Sequence, residues 1–285
     1  MQFFQRSLYE LAERFLLEDL GSGDITTLAV VPETAQADGR LLAKAPLVLA
    51  GLEVARAVFH VADATVAFQS QVADGISLSA GCVFAELHGP ARAILSAERV
   101  ALNLMQRLSG VATLTHQYVE AVKHTQARII DTRKTTPGLR GLEKYAVRVG
   151  GGHNHRYGLA DGVLIKDNHI AVVGSIAKAV SQVRKAVSHL QKIEVEVDSL
   201  SQLPEALEAG ADVILLDNMT PEETREAVHM VRKTPGGDRV LLESSGGVTL
   251  ATVKDYAEAG VDLISSGALT HSAPAVDISL EIDVT

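Results

Sequence analysis

The chain has little of several features that would place it in a specialised class of protein. Among its 285 residues Cys82 is the only cysteine, so an intramolecular disulfide and a thiolate metal cluster are both excluded. No apolar run approaches the roughly 18 residues of a membrane-spanning helix. The first residues also lack the basic segment and the following apolar segment that mark a secretory signal. We therefore expect a soluble, cytoplasmic protein with no membrane partner.

Positive charge is scarce as well. Lysine and arginine number 26 against 35 aspartate and glutamate residues, which gives a formal net charge of −9. Sequence-independent binding to nucleic acid needs a basic surface that displaces counterions from phosphates, so this composition argues against a nucleic-acid partner. A small anionic ligand is still compatible with it, because a few arginines in one cleft set the local potential.

The first part of the chain predicts a small mixed domain. Apolar residues at helical spacing predict an amphipathic helix over Leu8–Leu20, which ends at a glycine-rich break. Short β-like runs over residues 35–89 predict a small antiparallel sheet, and a long helix follows over residues 91–110. We expect residues 1–110 to form an N-terminal α/β sandwich domain, on which residues 271–285 pack back.

The rest of the chain, residues 111–270, alternates short apolar runs with helical stretches, a pattern typical of a parallel sheet covered by helices. Six runs read as strands, and they are ARIIDTRK, DGVLIKDNH, KIEVEVDS, ADVILLDN, RVLLESSGG and VDLISSGA. Polar residues end every run, as in a β/α barrel whose active site lies at the carboxyl ends of the strands. Because six strands are fewer than eight, we expect an open, incomplete β/α barrel as the catalytic domain. An open doubly wound sheet is the main alternative.

Cationic residues follow two of these strands. Arg133 and Lys134 come after Thr132 at the end of the first strand, where guanidinium and ammonium groups suit a carboxylate or a phosphate. Lys166 directly follows the second strand, where it serves either as a fixed cation or as the amine of a Schiff base. The alternative is a solvated turn with surface cations.

Carboxylates and small turns end the other strands. Glu196 and Asp217 lie near consecutive strand ends, where carboxylates hold Mg²⁺ with a pyrophosphate or accept hydrogen bonds from ribose hydroxyls. Salt bridges to the neighbouring cations are the alternative for both. The last two strands end in turns that precede helices, which favours a bound phosphate over plain connectors. The residues of these turns are Ser244, Ser245, Gly246, Ser265, Ser266 and Gly267.

Two further features stay ambiguous on the residues alone. The segment GGGHNHR, residues 150–156, is compatible with a metal site through His153 and His155, with a phosphate loop, or with an anion clamp formed by His155 and Arg156. The helix ILSAERVALNLMQRL carries Arg99 in a polar stripe, which on physical grounds faces solvent.

These motifs together resemble one family. The block DTRKTTPGLRGLEKYAVRVGGGHNHRYGLADGVLIKDNH is similar to quinolinate phosphoribosyltransferases. Supporting matches along nearly the whole chain are LLEDLGSGDIT, SAERVALNLMQRLSGVAT, VEVDS, LLDNM, ESSGGV and ISSGALTHSAPAVDISL. The resemblance implies a small α/β sandwich domain joined to an open β/α barrel. It also implies a homodimer with shared active sites, or a multiple of dimers such as a hexamer.

The resemblance further implies the reaction and its residues. Members of the family join quinolinate to 5-phosphoribosyl 1-pyrophosphate with Mg²⁺ and release nicotinate mononucleotide, pyrophosphate and CO₂ in NAD biosynthesis. The implied contacts to the quinolinate carboxylates and nearby phosphate oxygens are Thr132, Arg133, Lys134, His155, Arg156 and Lys166, with Arg99 from the partner subunit. Glu196 and Asp217 match residues at the ribose and Mg²⁺, and the two small turns match 5-phosphate loops. The implied catalytic residues are Lys134, Lys166, Glu196 and Asp217.

Several alternatives are compatible with the same residues. They are a nicotinate-specific transferase, the molybdenum-transport paralogue of the family, a Schiff-base aldolase that uses Lys166, and a non-catalytic sensor of pyridine carboxylates. The intact motifs TRKTTPG, NHR and KDNH favour quinolinate as the substrate. No role is assigned to His153.

Overall fold

The computed structural model describes the backbone of residues 2–284 and the side chains of residues 8–283. Two compact units divide the chain. One unit is formed by the residues up to Leu114 together with those from Ala273 onward, and the other by Thr115–Ser272. None of the helices in the described part of the chain is both long and apolar enough to cross a membrane.

The helices and strands follow one another in two blocks. In the first block they are α1 (Gln2–Leu20), α2 (Ile25–Val30), β1 (Gln36–Ala43), β2 (Leu47–Val48), α3 (Leu52–Ala62), β3 (Ala67–Ser70), β4 (Ser77–Leu78), β5 (Val83–Pro90) and α4 (Ala91–Val122). In the second block they are β6 (Arg128–Ile130), α5 (Arg140–Val149), β7 (Val163–Ile165), α6 (Asp167–Val173), α7 (Ile176–Ala186), β8 (Ile193–Val197), α8 (Leu203–Glu208), β9 (Val213–Asp217), α9 (Pro221–Lys233), β10 (Leu241–Ser245), α10 (Val253–Glu258), β11 (Leu263–Ser265), α11 (Ala268–His271) and β12 (Ile278–Val284).

The first unit contains a four-stranded antiparallel sheet in the order β12-β1-β5-β3. Strand β12 returns from the end of the chain and pairs with β1, with Leu41 opposite Leu280. Helix α1 buries Leu8, Ala12 and Leu16, which recur at the four-residue spacing of an amphipathic helix. The predicted small N-terminal sheet domain is therefore confirmed.

The second unit contains a six-stranded parallel sheet in the order β6-β11-β10-β9-β8-β7. Strands β7 to β11 lie side by side in chain order, and β6 follows β11, as they would in a barrel. A doubly wound sheet reverses its strand order at a switch point, so that alternative is wrong. In the described sheet β6 and β7 are the two edges and do not pair with each other. The predicted open, incomplete barrel is confirmed.

Strand β8 is apolar on one face and carries carboxylates on the other. In β8 the side chains of Ile193, Val195 and Val197 are buried, and Glu194 and Glu196 alternate with them on the opposite face. Because every strand of the sheet runs in parallel, the carboxyl ends of all six lie at one edge. The fold thereby gathers the polar strand ends at one place.

Candidate active site

The carboxyl ends of the parallel strands surround a cavity of about 600 Å³ in the second unit. Most of the predicted site residues lie on it. Those that line the cavity are Thr132, Arg133, Lys134, His155, Arg156, Lys166, Glu196, Asp217, Ser245, Gly246 and Ser265. Asn218 and Glu243 line it too, although the strand pattern alone does not single them out.

Among the described residues four cations line this cavity, and they are Arg133, Lys134, Arg156 and Lys166. The guanidinium of Arg156 donates to the carbonyl oxygen of Gly162 at 3.1 Å, which fixes the side chain. Burial, followed by the charge of Arg133, lowers the pKa of Arg156. The Nζ of Lys166 forms an ion pair with the carboxylate of Glu196. Because the Nζ of Lys166 is engaged by this carboxylate, the geometry supports Lys166 as a fixed cation rather than as the free nucleophilic amine of a Schiff base.

The acidic residues stand beside these cations. Glu196 is held by Lys166, and Asp217 accepts a hydrogen bond from the side-chain amide of Asn218 at 2.7 Å. A smaller hollow of about 330 Å³ adjoins both carboxylates and is also lined by Asp167 and Asp198. Oxygen ligands of this kind suit a hard divalent cation such as Mg²⁺, which binds through one or two carboxylates and substrate phosphates. The residues present therefore fit the implied metal.

The turn after β10 is held in a restricted backbone conformation. Asn218 has a φ of 56°, unusual for a residue with a side chain, and its N–H donates to the carbonyl oxygen of Ser245 at 2.8 Å. Gly246 has a φ of 91°, and a Cβ at this position would overlap the side chain of Asn218. Only glycine satisfies both constraints, which keeps backbone groups of the turn at the cavity.

The two small turns do not present every predicted residue to the cavity. Ser245, Gly246 and Ser265 line it, but Ser244 and Ser266 are buried away from it. The hydroxyl of Ser266 donates to the carbonyl oxygen of Val248 at 3.2 Å and so ties the two turns together. Gly267 is packed against Lys134, where a Cβ would come within 2.8 Å of the lysine side chain.

The GGGHNHR segment is positioned by a buried ionic network. Lys144 on α5 is 3% exposed and donates to Asp131, which is fully buried, at 2.5 Å. Asn154 donates to the second oxygen of Asp131 at 2.6 Å, and the N–H of His155 donates to the first oxygen at 2.9 Å. Gly152 lies against Val147, with no room for a side chain. These hydrogen bonds hold the backbone of the segment in place from the side opposite the cavity.

The tautomer of His155 follows from its two ring contacts. Its Nδ1 accepts the backbone N–H of Arg156 at 2.7 Å, so this nitrogen is unprotonated. The ring proton of the neutral imidazole is therefore on Nε2, which lies 3.0 Å from the carboxylate of Glu194. Both nitrogens are engaged within the chain, so His155 shapes the cavity wall rather than presenting a free nitrogen to a ligand.

The same tautomer bears on metal binding. His155, Glu194 and Glu243 place one potential ligand atom each within 4.8 Å of the others. A nitrogen that carries a proton has no lone pair for a metal ion, so this cluster is a set of hydrogen-bonding groups. His153 lies apart from it and is exposed.

A second cavity of about 480 Å³ opens at the amino ends of the strands, next to Arg128, His153 and Lys192. Burial, with the charges of Arg128 and Arg148, lowers the pKa of His153. His155, Arg156 and Glu243 line both cavities. These three side chains therefore form the partition between the two ends of the open barrel.

Arg99 lies outside this group of residues. It is an exposed residue of α4 in the first unit, whereas all residues that line the cavity belong to the second unit. Its solvent-facing position is the one that its polar stripe predicts. The contact that the resemblance implies, to the site of a partner subunit, stays a prediction.

The similarity of the whole chain to known domains decides its family. A model of the quinolinate phosphoribosyl transferase N-terminal domain matches residues 24–109, and a model of the C-terminal domain of the same transferase matches residues 111–281. The chain belongs to the quinolinate phosphoribosyl transferase family. The resemblance carried by the TRKTTPG, NHR and KDNH motifs is thus confirmed.

Family members with similar sequences occur in distant bacteria. The chain is 47% identical over 278 residues to the probable carboxylating nicotinate-nucleotide pyrophosphorylase of Bacillus subtilis, covering 98% of this chain and 94% of that protein. It is 48% identical over 274 residues to the carboxylating nicotinate-nucleotide pyrophosphorylase of Mycobacterium leprae, covering 94% and 95%. The crystal structure of NadC from Streptococcus pyogenes matches with a TM-score of 0.91 at 43% identity, covering 97% and 96%.

Several residues that position the site of this family member are not identified by the sequence patterns. Asp131 reads as one more polar strand end, and Lys144 reads as a cation on an amphipathic helix. A charged residue at a position that the helical pattern assigns to the buried face is the signal that could have marked Lys144. Asn218 and Glu243 also stand among the polar residues at the strand ends, but nothing in the sequence sets them apart from the others there.

Proposed function

We propose that the protein transfers the 5-phosphoribosyl group of 5-phosphoribosyl 1-pyrophosphate to quinolinate, with decarboxylation, and forms nicotinate mononucleotide, pyrophosphate and CO₂ in NAD biosynthesis. One observation carries the proposal. Cations after two strands, carboxylates on two others and small turns after the last two line one cavity of about 600 Å³. Two polyanionic substrates held side by side require this combination of charges. The names of the relatives support the same reaction.

The substrate carboxylates are assigned to the cationic wall. Arg133 is exposed at the cavity, and Arg156 is fixed by its bond to Gly162. A planar guanidinium binds a carboxylate through two parallel hydrogen bonds, which orients a rigid dicarboxylate. Lys166 adds a third charge from the end of β7. These contacts aim the pyridine nitrogen at the ribose.

The transfer step builds positive charge on the sugar as pyrophosphate leaves. Glu196 and Asp217 are the carboxylates on the cavity that can stabilise this charge. The same two residues would hold Mg²⁺, which when bound neutralises the pyrophosphate oxygens. After the transfer the pyridine nitrogen is positively charged, and it withdraws the electron pair that the departing carboxylate leaves behind.

The proposed reaction is tested with the full chain, Mg²⁺, 5-phosphoribosyl 1-pyrophosphate and quinolinate labelled in the carboxylate next to the ring nitrogen. We expect labelled CO₂ and nicotinate mononucleotide in equal amounts. Nicotinate offered in place of quinolinate tests the nicotinate-specific alternative. Product from nicotinate and none from quinolinate would overturn the proposal.

We also propose a homodimer whose subunits complete each other's sites, with assembly into hexamers as a further state. The exposure of Arg99 and the resemblance to the family support this arrangement. Arg99→Ala and Lys134→Ala proteins are each expected to be inactive as separate preparations. Mixed and allowed to exchange subunits, they are expected to regain activity, because a heterodimer contains one site with both residues intact. The assay is product formation after mixing, and no recovery despite subunit exchange confirmed by mass would argue against a shared site.

A further inference from the structure

One carboxyl group on the cavity floor takes no part in the transfer step. Glu243 lies in the middle of β10, is 1% exposed and lines the catalytic cavity. Its Oε1 accepts no hydrogen bond from any residue in the described part of the chain. Buried polar atoms in proteins almost always have partners, so one that adjoins a substrate cavity without a partner calls for a functional explanation.

The surroundings of Glu243 favour its protonated form. Burial, and then the charge of Glu194, raise the pKa of Glu243 well above its usual range. Glu194 faces the Nε2 proton of His155 at 3.0 Å, whereas Glu243 lies 3.8 Å from the same nitrogen. Glu194, and not Glu243, is therefore the nearer acceptor for the Nε2 proton. The Lys166 ammonium, which opposes protonation of Glu243, is paired with Glu196.

The proposed reaction, on which this inference rests, requires a proton at a defined atom. Loss of CO₂ breaks the bond between ring carbon C2 and its carboxylate, and the electron pair stays on C2 beside the charged nitrogen. The product carries hydrogen at C2. A proton donor must therefore reach the ring while quinolinate and the phosphoribosyl group fill the cavity.

Of the other proton-bearing groups on the cavity, four are poor donors, and a fifth, Lys134, is exposed to solvent rather than buried on the cavity floor. The ring proton of His155 is directed to Glu194. Arginine does not deprotonate in proteins, which excludes Arg133 and Arg156. Loss of a proton from Lys166 would break its ion pair with Glu196. Glu243 is the remaining buried acid on the cavity, and its Oε1 has no hydrogen-bond partner within the described residues.

We propose that Glu243 delivers the proton that replaces the departing carboxylate on C2. In one step the bond between C2 and the carboxylate breaks as CO₂ leaves, the O–H bond of Glu243 breaks, its proton forms the new C2–H bond with the released electron pair, and Glu243 is left as a carboxylate. Glu243 also lines the second cavity at the amino ends of the strands, which opens away from the substrates. Water in that cavity returns the proton, so each turnover takes up one proton from solvent.

The decisive variant is Glu243→Gln, because glutamine matches the shape and the charge of a protonated glutamate but cannot donate this proton. In a single turnover we expect pyrophosphate release within about threefold of the wild-type rate, and CO₂ release slowed by roughly 100-fold or more. The carboxylated nucleotide should accumulate in the same samples. Glu226→Gln, an exposed site on α9, is the matched control and should change neither rate.

The outcomes separate this inference from the proposed function. If the wild type forms no nucleotide from quinolinate, the proposed function fails. If the wild type is active and folded Glu243→Gln slows both releases equally, or neither, the inference is overturned. Should Glu243→Gln not fold, Glu243→Asp replaces it, since the shorter acid is expected to slow CO₂ release more than pyrophosphate release. Equal slowing there contradicts the inference as well.

Discussion

Replacement of Lys166 by methionine is expected to lower kcat/KM for quinolinate by roughly 10²–10³-fold, the usual cost of removing one preorganised charged contact to a transition state. Methionine keeps most of the apolar stem and removes the ammonium. The change also leaves Glu196 without its cation on the cavity. The carboxylate of Glu196 then repels the anionic substrates instead of being screened by Lys166. Steady-state rates at saturating and limiting quinolinate measure the effect.

Two companion variants sharpen this test. Lys178→Met removes an exposed lysine of α7 and should leave the rate unchanged. Lys166→Arg keeps the charge and removes the primary amine. Partial activity of Lys166→Arg is expected of a fixed cation, whereas Schiff-base chemistry would lose all activity in it. Activity of Lys166→Met close to that of the control would contradict the role assigned to Lys166.

Asp131→Ala is expected to lower the free energy of unfolding by about 3–5 kcal/mol, since it leaves the buried ammonium of Lys144 unpaired. The same change removes the acceptor of Asn154 and of the His155 N–H. The segment that carries His155 and Arg156 then loses its support, so activity falls with stability. Urea unfolding followed by circular dichroism gives the free energy.

The double variant Asp131→Ala with Lys144→Met checks the physical cause. Removing both charges leaves no buried ion, so the double variant is expected to be more stable than Asp131→Ala alone. Asp238→Ala, at an exposed aspartate, is the control and should stay within about 0.5 kcal/mol of the wild type. A double variant less stable than either single variant would show that the network matters through its hydrogen bonds rather than its charge.

Sequence periodicity is sufficient to place the principal charges on one cavity. Lys166, Glu196 and Asp217 each stand at or next to the end of an apolar run, and parallel strands end at one edge of a sheet. The number of runs likewise limits the second unit to an open barrel. Both predictions depend only on local patterns and on the geometry of parallel strands.

Contacts between distant residues cannot be predicted in this way. Nothing in the sequence indicates that Asp131 and Lys144 are buried against each other, or that the N–H of Arg156 fixes the proton of His155 on Nε2. The two serine turns show the same limit, because Ser245 and Ser265 reach the cavity whereas Ser244 and Ser266 face away. Orientation within a turn depends on backbone angles such as those of Asn218 and Gly246.

The bridge between His153 and Ile130 bears on the solubility of an open barrel. A sheet that does not close exposes the N–H and C=O groups of its edge strands, and such an edge can recruit a strand from another chain. The backbone N–H of His153 donates to the carbonyl oxygen of Ile129 at 2.8 Å, and its carbonyl oxygen accepts from the backbone N–H of Asp131 at 3.1 Å. The backbone of His153 therefore covers the free edge of β6. The GGGHNHR segment, which forms one wall of the catalytic cavity, thereby also reduces the tendency of the open barrel to aggregate through this edge.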